Sequence, residues 1–313
     1  MQESTGRAII QLTESGENSI SARLFSISSI IHYKRIKVVL YKGANYAPLP
    51  MPTISDLAPY SHLLLQNEIP FDATLSHLSL SKSPTLRRSI TTIYNPSPMP
   101  TPAQISSEMK WEHVDWLVMN EGEVQQLLDA FSTSSSASQT EMWHSINVPD
   151  SCLHSSALIL RLASQPLFEN VNIVCTLGPL GVLAHLPSIT KDGESNIIHE
   201  PGVLTRELRD TTGAGDCWTG YLVAGLMELE VKTASVSNNL DKTVACHLLR
   251  RCNQVRRYLI NNFSWSSLPH SLDTYSLIIP IVSQAAGMCI EKDGAMESFP
   301  ENEEVAAMLL ESS

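Results

Sequence analysis

Apolar runs of strand length recur along the chain, and the stretches between them are long enough for helices. The series is His62-Leu63-Leu64-Leu65, Ser89-Ile90-Thr91-Thr92-Ile93-Tyr94, Val114-Asp115-Trp116-Leu117-Val118-Met119 and Val171-Asn172-Ile173-Val174-Cys175-Thr176. Short runs of this kind, spaced by helix-length segments, predict an α/β fold: a parallel sheet with crossover helices. Ahead of them, Arg7-Ala8-Ile9-Ile10-Gln11-Leu12 predicts a strand, and Glu14-Ser15-Gly16-Glu17-Asn18 supplies residues that reverse it. The returning strand starts at Ser19-Ile20 and resumes at Val38-Val39-Leu40-Tyr41, with residues 21–37 lying between.

Each run gives way to a polar segment. Gln66-Asn67-Glu68-Ile69-Pro70 succeeds the first, Asn95-Pro96-Ser97-Pro98 the second, Asn120-Glu121-Gly122-Glu123 the third and Leu177-Gly178-Pro179-Leu180-Gly181 the fourth. Open α/β sheets bind ligands beyond the carboxyl ends of their strands, so these four ends are expected to meet at one crevice. The serine-rich stretch 132–138 reads as an exposed loop, and no repeat of solenoid period occurs.

Composition narrows the class. Apolar residues make up 43% and charged residues 17% of 313, which supports a packed core. A balance of 21 basic against 32 acidic residues, net −11, makes nucleic acid a poor partner, and the cluster Arg250, Arg251, Arg256 and Arg257 reads as a solvated helix face. The six cysteines form no CxxC pair and several sit in apolar runs, which fits a reducing compartment, cytoplasmic or nuclear. Met1-Gln2-Glu3-Ser4-Thr5 does not open a secretory signal, and Ser276, Pro280, Ser283 and Gln284 interrupt the longest apolar stretches, so no membrane contact is expected.

The most informative string is Asp210-Thr211-Thr212-Gly213-Ala214-Gly215-Asp216, which opens a helical run that is apolar around most of its circumference. Gly213 and Gly215 permit a tight turn that exposes backbone N–H groups at the positive end of the helix dipole, an anion site. Asp216, in the first turn, is placed to act as a general base beside that anion, or simply to complement the dipole. Gly178-Pro179-Leu180-Gly181 has no GK[ST], and Gly213-Ala214-Gly215 lacks the third glycine of a dinucleotide fingerprint. Asn120 and Glu123 have the spacing of a helix cap with its capping-box partner, and Glu68 on its own reads as a surface carboxylate.

These residues resemble the ribokinase-like (PfkB-type) carbohydrate kinases, whose second signature is very close to residues 210–216. Asn120-Glu121-Gly122-Glu123 is similar to the family's Asn-x-x-Glu motif, Thr176-Leu177-Gly178 with Gly181 to its nucleotide-binding turn, and residues 289–300 to its C-terminal adenine-closing segment. Within the family, residues 64–70, 95–98 and 5–18 resemble the ribose-phosphorylating branch more than the fructose or adenosine branches. The fold implied is a mostly parallel central sheet flanked by helices, with the remnant of a small β lid. Residues 1–46 would be the partial lid hairpin with its insertion at 21–37, and residues 47–313 the nucleotide-binding core with a second insertion at about 230–279.

The resemblance also implies roles. Asp216 would be the base and a contact to the sugar, with Gly213, Ala214 and Gly215 forming the γ-phosphate anion hole. Asn120 and Glu123 would organise Mg²⁺, while Asn120, Thr176, Gly178 and Gly181 would line the ATP site together with Gly215 and Asp216. Asp210, Thr212, Cys289, Lys292, Gly294 and Ser298 would surround K⁺, and Glu68 would touch the sugar. The reaction implied is transfer of the γ-phosphate of ATP to the 5-hydroxyl of D-ribose, with fructose or a nucleoside as other acceptors; a homodimer is left open. Members of the family carry further βα units with a sugar-gripping Gly-Gly-Lys-Gly-Ala-Asn-like motif ahead of the point matching Thr5-Gly6. A chain starting after them is also expected to behave as a relic that binds nucleotide or pairs with a complete subunit. Both extra segments read as looped insertions or as translated introns.

Overall fold

The structure, a computed structural model, describes residues 7–9, 39–41, 43–48, 50–131, 148–187, 197–202, 213–233, 244–246, 248 and 249. The two extra segments fall largely outside these residues, as do the serine-rich stretch 132–138 and everything after 249. Strands β1 (Arg7–Ile9) and β2 (Val39–Tyr41) pair antiparallel in register Ile9 with Val39, so the expected return strand meets its partner across the intervening residues.

The main sheet has six strands in sequential order: β3 (His62–Gln66), β4 (Thr91–Asn95), β5 (Trp116–Asn120), β6 (Asn172–Thr176), β7 (Val182–His185) and β8 (Ile197–Glu200). β3 to β6 are parallel, as the apolar runs predict, while β7 and β8 are antiparallel. These last two strands have four residues each, and no helix-length spacer announces β7. It succeeds β6 through a tight turn at 177–181 and so escapes a pattern read as βαβ rhythm.

Alternation along each strand splits the apolar residues between two cores. Leu65, Tyr94, Leu117, Met119, Ile173, Cys175 and Leu183 point to one face. They pack there against helices α1 (Phe71–Ser81), α2 (Glu121–Phe131) and α3 (Leu153–Ala163), with Trp111 and Phe168 in ring contact at 5.0 Å. Their neighbours Ile93, Trp116, Val118, Val174, Val182, Ala184 and Ile198 point to the other face. That face is covered by α4 (Ala214–Thr233) through Trp218, Leu222 and Leu226, and by Ala245, Leu248 and Leu249. The second insertion, as bounded from the sequence, thus begins inside α4 and includes buried residues.

At the amino ends of the strands, Lys82 Nζ lies 2.5 Å from Asp115 Oδ2 and 3.0 Å from the Ile90 carbonyl. The same Asp115 oxygen accepts the Thr92 N–H at 2.7 Å. This charge-assisted knot ties α1 to β4 and β5 at the end opposite the polar strand successors.

Candidate active site

Sheet pairing places the polar residues that end the strands side by side. Gln66 is the register partner of Asn95, and Asn120 that of Thr176. The amino end of α4 closes the row: Gln66 Nε2 donates to Asp216 Oδ1 at 2.6 Å and to Asn95 Oδ1 at 3.1 Å. Asn95 Nδ2 in turn donates to the Val118 carbonyl at 2.7 Å.

Gly213 enters α4 with φ 78°, a conformation that suits glycine and few other residues. The Cys217 N–H donates to the Gly213 carbonyl at 2.8 Å, so the N–H groups of Ala214, Gly215 and Asp216 precede this intrahelical bond. Gly215 and Asp216 are exposed, and a Cβ added at Gly215 would meet nothing within 4 Å. The turn is open to a ligand rather than covered by packing.

Asn120 and Glu123 form a reciprocal capping box at the start of α2. Asn120 N–H donates to Glu123 Oε2 at 2.9 Å, and Glu123 N–H donates to Asn120 Oδ1 at 2.9 Å. Burial pushes the Glu123 carboxyl above its ordinary range against hydrogen bonds from Asn120 and the Ser97 hydroxyl, and the Asp216 charge adds to the rise. Glu68, on the loop after β3, is also raised, first by desolvation and then by Asp216. The same Glu68 charge, after desolvation, raises Tyr46, whose hydroxyl donates to the Asn67 carbonyl at 3.0 Å. The Asp216 charge is thus felt by two other carboxyls, Glu68 and Glu123.

No group of three or more His, Cys, Asp and Glu side chains close enough to hold a metal occurs among the described residues. Mg²⁺ is commonly held by one or two carboxylates together with waters and substrate phosphates. The oxygen donors of Asn120 and Glu123, with carboxyls whose mutual repulsion a cation relieves, fit that mode.

The turn after β6 is shaped by glycine. Gly178 has φ 56° and Gly181 φ 92°, and a Cβ on Gly181 would lie 2.1 Å from the Glu200 carbonyl oxygen and 2.3 Å from Gly202 N. The Leu177 N–H donates to the Gly181 carbonyl at 2.8 Å, closing the hairpin into β7 and leaving Gly178, Pro179 and Leu180 exposed beside Thr176.

The structure thus brings together Glu68, Asn120, Glu123, Thr176, Gly178, Gly181, Gly213, Ala214, Gly215 and Asp216. Asp210, Thr212, Cys289, Lys292, Gly294 and Ser298 lie outside the described residues. Sequence reasoning gave no role to Gln66, Asn95, Ser97 or Tyr46. The first three belong to the polar strand ends, and the signal available for them was their place at the close of apolar runs.

Known proteins resemble this chain in sequence and fold. The chain is 35% identical to the ribokinase of Cryptococcus neoformans var. grubii serotype A, whose crystal structure is in complex with ADP. The match covers 98% of this chain and 72% of that one, with a TM-score of 0.64. It is 27% identical over 216 residues to a ribokinase of Lactococcus lactis, covering 68% of this chain and 56% of that protein, so it spans little more than half of that relative's length. A nucleoside kinase of Burkholderia thailandensis, in complex with inosine, shares the fold at 12% identity and TM-score 0.53, over 99% of this chain and 69% of that one. No family model matches the chain.

Proposed function

Because this chain belongs to the ribokinase family of carbohydrate kinases, we propose that it transfers the γ-phosphate of ATP to the 5-hydroxyl of D-ribose. The observation that carries the reading is the placement of Asp216. It stands exposed in the first turn of α4, beside an open turn of amides and with its charge felt by Glu68 and Glu123.

In the proposed step the sugar hydroxyl gives its proton to the Asp216 carboxylate as its oxygen attacks the γ-phosphorus. The bond from that phosphorus to the β-phosphate oxygen breaks, and ADP leaves. The amides of residues 213–215 meet the charge on the γ-phosphate oxygens, with the helix dipole behind them. Mg²⁺, when bound, neutralises phosphate oxygens; Asn120 and Glu123 would hold it. Thr176, Gly178 and Gly181 would line the nucleotide, and Glu68 would orient the sugar. The K⁺ site proposed around Asp210, Thr212, Cys289, Lys292, Gly294 and Ser298 rests on the sequence resemblance.

One observation favours a second reading, a chain that binds nucleotide without completing transfer. Among the described residues β3 ends the order of the main sheet, and Leu64 on it is 40% exposed. An end strand of this kind can pair with a further strand, from a complete subunit for example.

ADP release measured with Mg·ATP and, in turn, ribose, fructose, adenosine and inosine separates these readings. Ribose is expected to give the fastest release. A nucleoside preference would move the acceptor class, and calorimetric binding of Mg·ATP with no release on any acceptor would favour the non-catalytic reading.

A further inference from the structure

The geometry points to Gln66, aimed by Asn95, as the positioning residue that holds the Asp216 carboxylate for proton transfer, an inference that rests on the kinase reading above. The chain of bonds begins at a backbone carbonyl, whose orientation the β5 strand fixes. Val118 O accepts Asn95 Nδ2, which turns the Asn95 amide oxygen toward β3. That oxygen accepts from Gln66 Nε2. An amide nitrogen carries two protons, and the second goes to Asp216 Oδ1 at 2.6 Å. Each group dictates the orientation of the next, from the strand backbone to the carboxylate.

Three features make this contact more than a tether. Gln66 and Asn95 are paired last residues of β3 and β4, so the sheet itself sets their spacing. The donor is neutral, and it stabilises an anion whose charge Glu68 and Glu123 already feel, without adding a charge that would compete for the phosphate. The bond takes one oxygen of an otherwise exposed carboxylate and leaves the other for the acceptor hydroxyl. A base held by one oxygen has a defined approach for the proton, which is the positional requirement of general-base catalysis.

The test uses the full chain. Gln66→Met removes both donors at matched length, and Gln66→Glu keeps the shape but sets a carboxylate against Asp216. With ribose, kcat is expected to fall about tenfold in the first and about a hundredfold in the second, with KM for ATP kept within about twofold. A packing role gives the reverse order, because Glu is the closer isostere. That order, or wild-type kcat in both variants, overturns the inference. NMR of the glutamine side-chain amides reads the contact without turnover: Asp216→Ala should move one Gln66 amide proton and Asn95→Leu should move both. Gln66 signals unmoved by Asp216→Ala likewise overturn it. If the signals move as expected while the wild-type chain phosphorylates no sugar or nucleoside, the contact stands and the kinase reading is the one that fails.

Discussion

Crowding of like charge is the dominant fact at the scale of single residues. Glu123 sits under α2's first turn with its carboxyl raised by burial and by Asp216, so the folded chain holds a proton there more tightly than the unfolded chain does. Stability from such a group is present below the unfolded carboxylate pKa and is lost as pH rises through the higher folded value. Glu123→Gln keeps the capping geometry, which Gln also supports, but removes the charge. Thermal melts without divalent cation should therefore show the difference in Tm moving in favour of Glu123→Gln between pH 4 and pH 7, roughly the window in which a raised carboxyl titrates. Mg²⁺ at neutral pH should narrow the difference by stabilising the wild-type chain alone. A gap that stays constant with pH contradicts the assigned burial. Asp216 and its glycines were legible in the sequence because a dense local string encodes them. The hydrogen-bond partner of Asp216 was not, since Gln66 lies 150 residues away and only the fold brings it near.

Turns at the ends of elements carry the next level of argument, and two glycines there make opposite predictions. Gly181 has φ 92° and its missing Cβ would collide with backbone at Glu200 and Gly202. Gly181→Ala is expected to cost about 2–4 kcal/mol and to lower Tm, since neither the conformation nor the neighbouring strand gives way easily. Gly215 is helical with open space around it, so Gly215→Ala should leave stability unchanged or raise it by up to about 1 kcal/mol. The same methyl would stand where the γ-phosphate is proposed to dock, so affinity for ATP should fall. Melting curves and calorimetry on the two variants check both halves, and an ATP affinity unchanged in Gly215→Ala would contradict the anion hole. The strands β4 to β6 were readable because runs buried on both faces stay largely apolar, and β3 because Leu63-Leu64-Leu65 is an unbroken apolar run even though Leu64 is exposed. The hairpin β7–β8 was not, because its four-residue strands come after β6 without a crossover and their pairing is a tertiary event.

In the whole molecule, one end of the sheet is a knot and the other a site. Lys82 and Asp115 close the amino ends of β4 and β5, while the carboxyl ends present Gln66, Asn95, Asn120 and Thr176 to the start of α4. Helix α4 serves both purposes: Trp218, Leu222 and Leu226 anchor it in the second core, and that anchoring fixes where its first turn points. The apolar runs foretold a sheet covered by helices, and the structure divides their side chains between two cores. The part played by Ala245, Leu248 and Leu249 was hidden, because a few apolar residues beyond α4 read from sequence as part of the insert. The central claim is that this convergence makes Asp216 the base of a phosphoryl transfer, and turnover of Asp216→Ala with ribose and Mg·ATP tests it most directly. The account predicts a fall of roughly 10²- to 10⁴-fold in kcat with ATP binding retained. A kcat equal to that of the wild-type chain would contradict it.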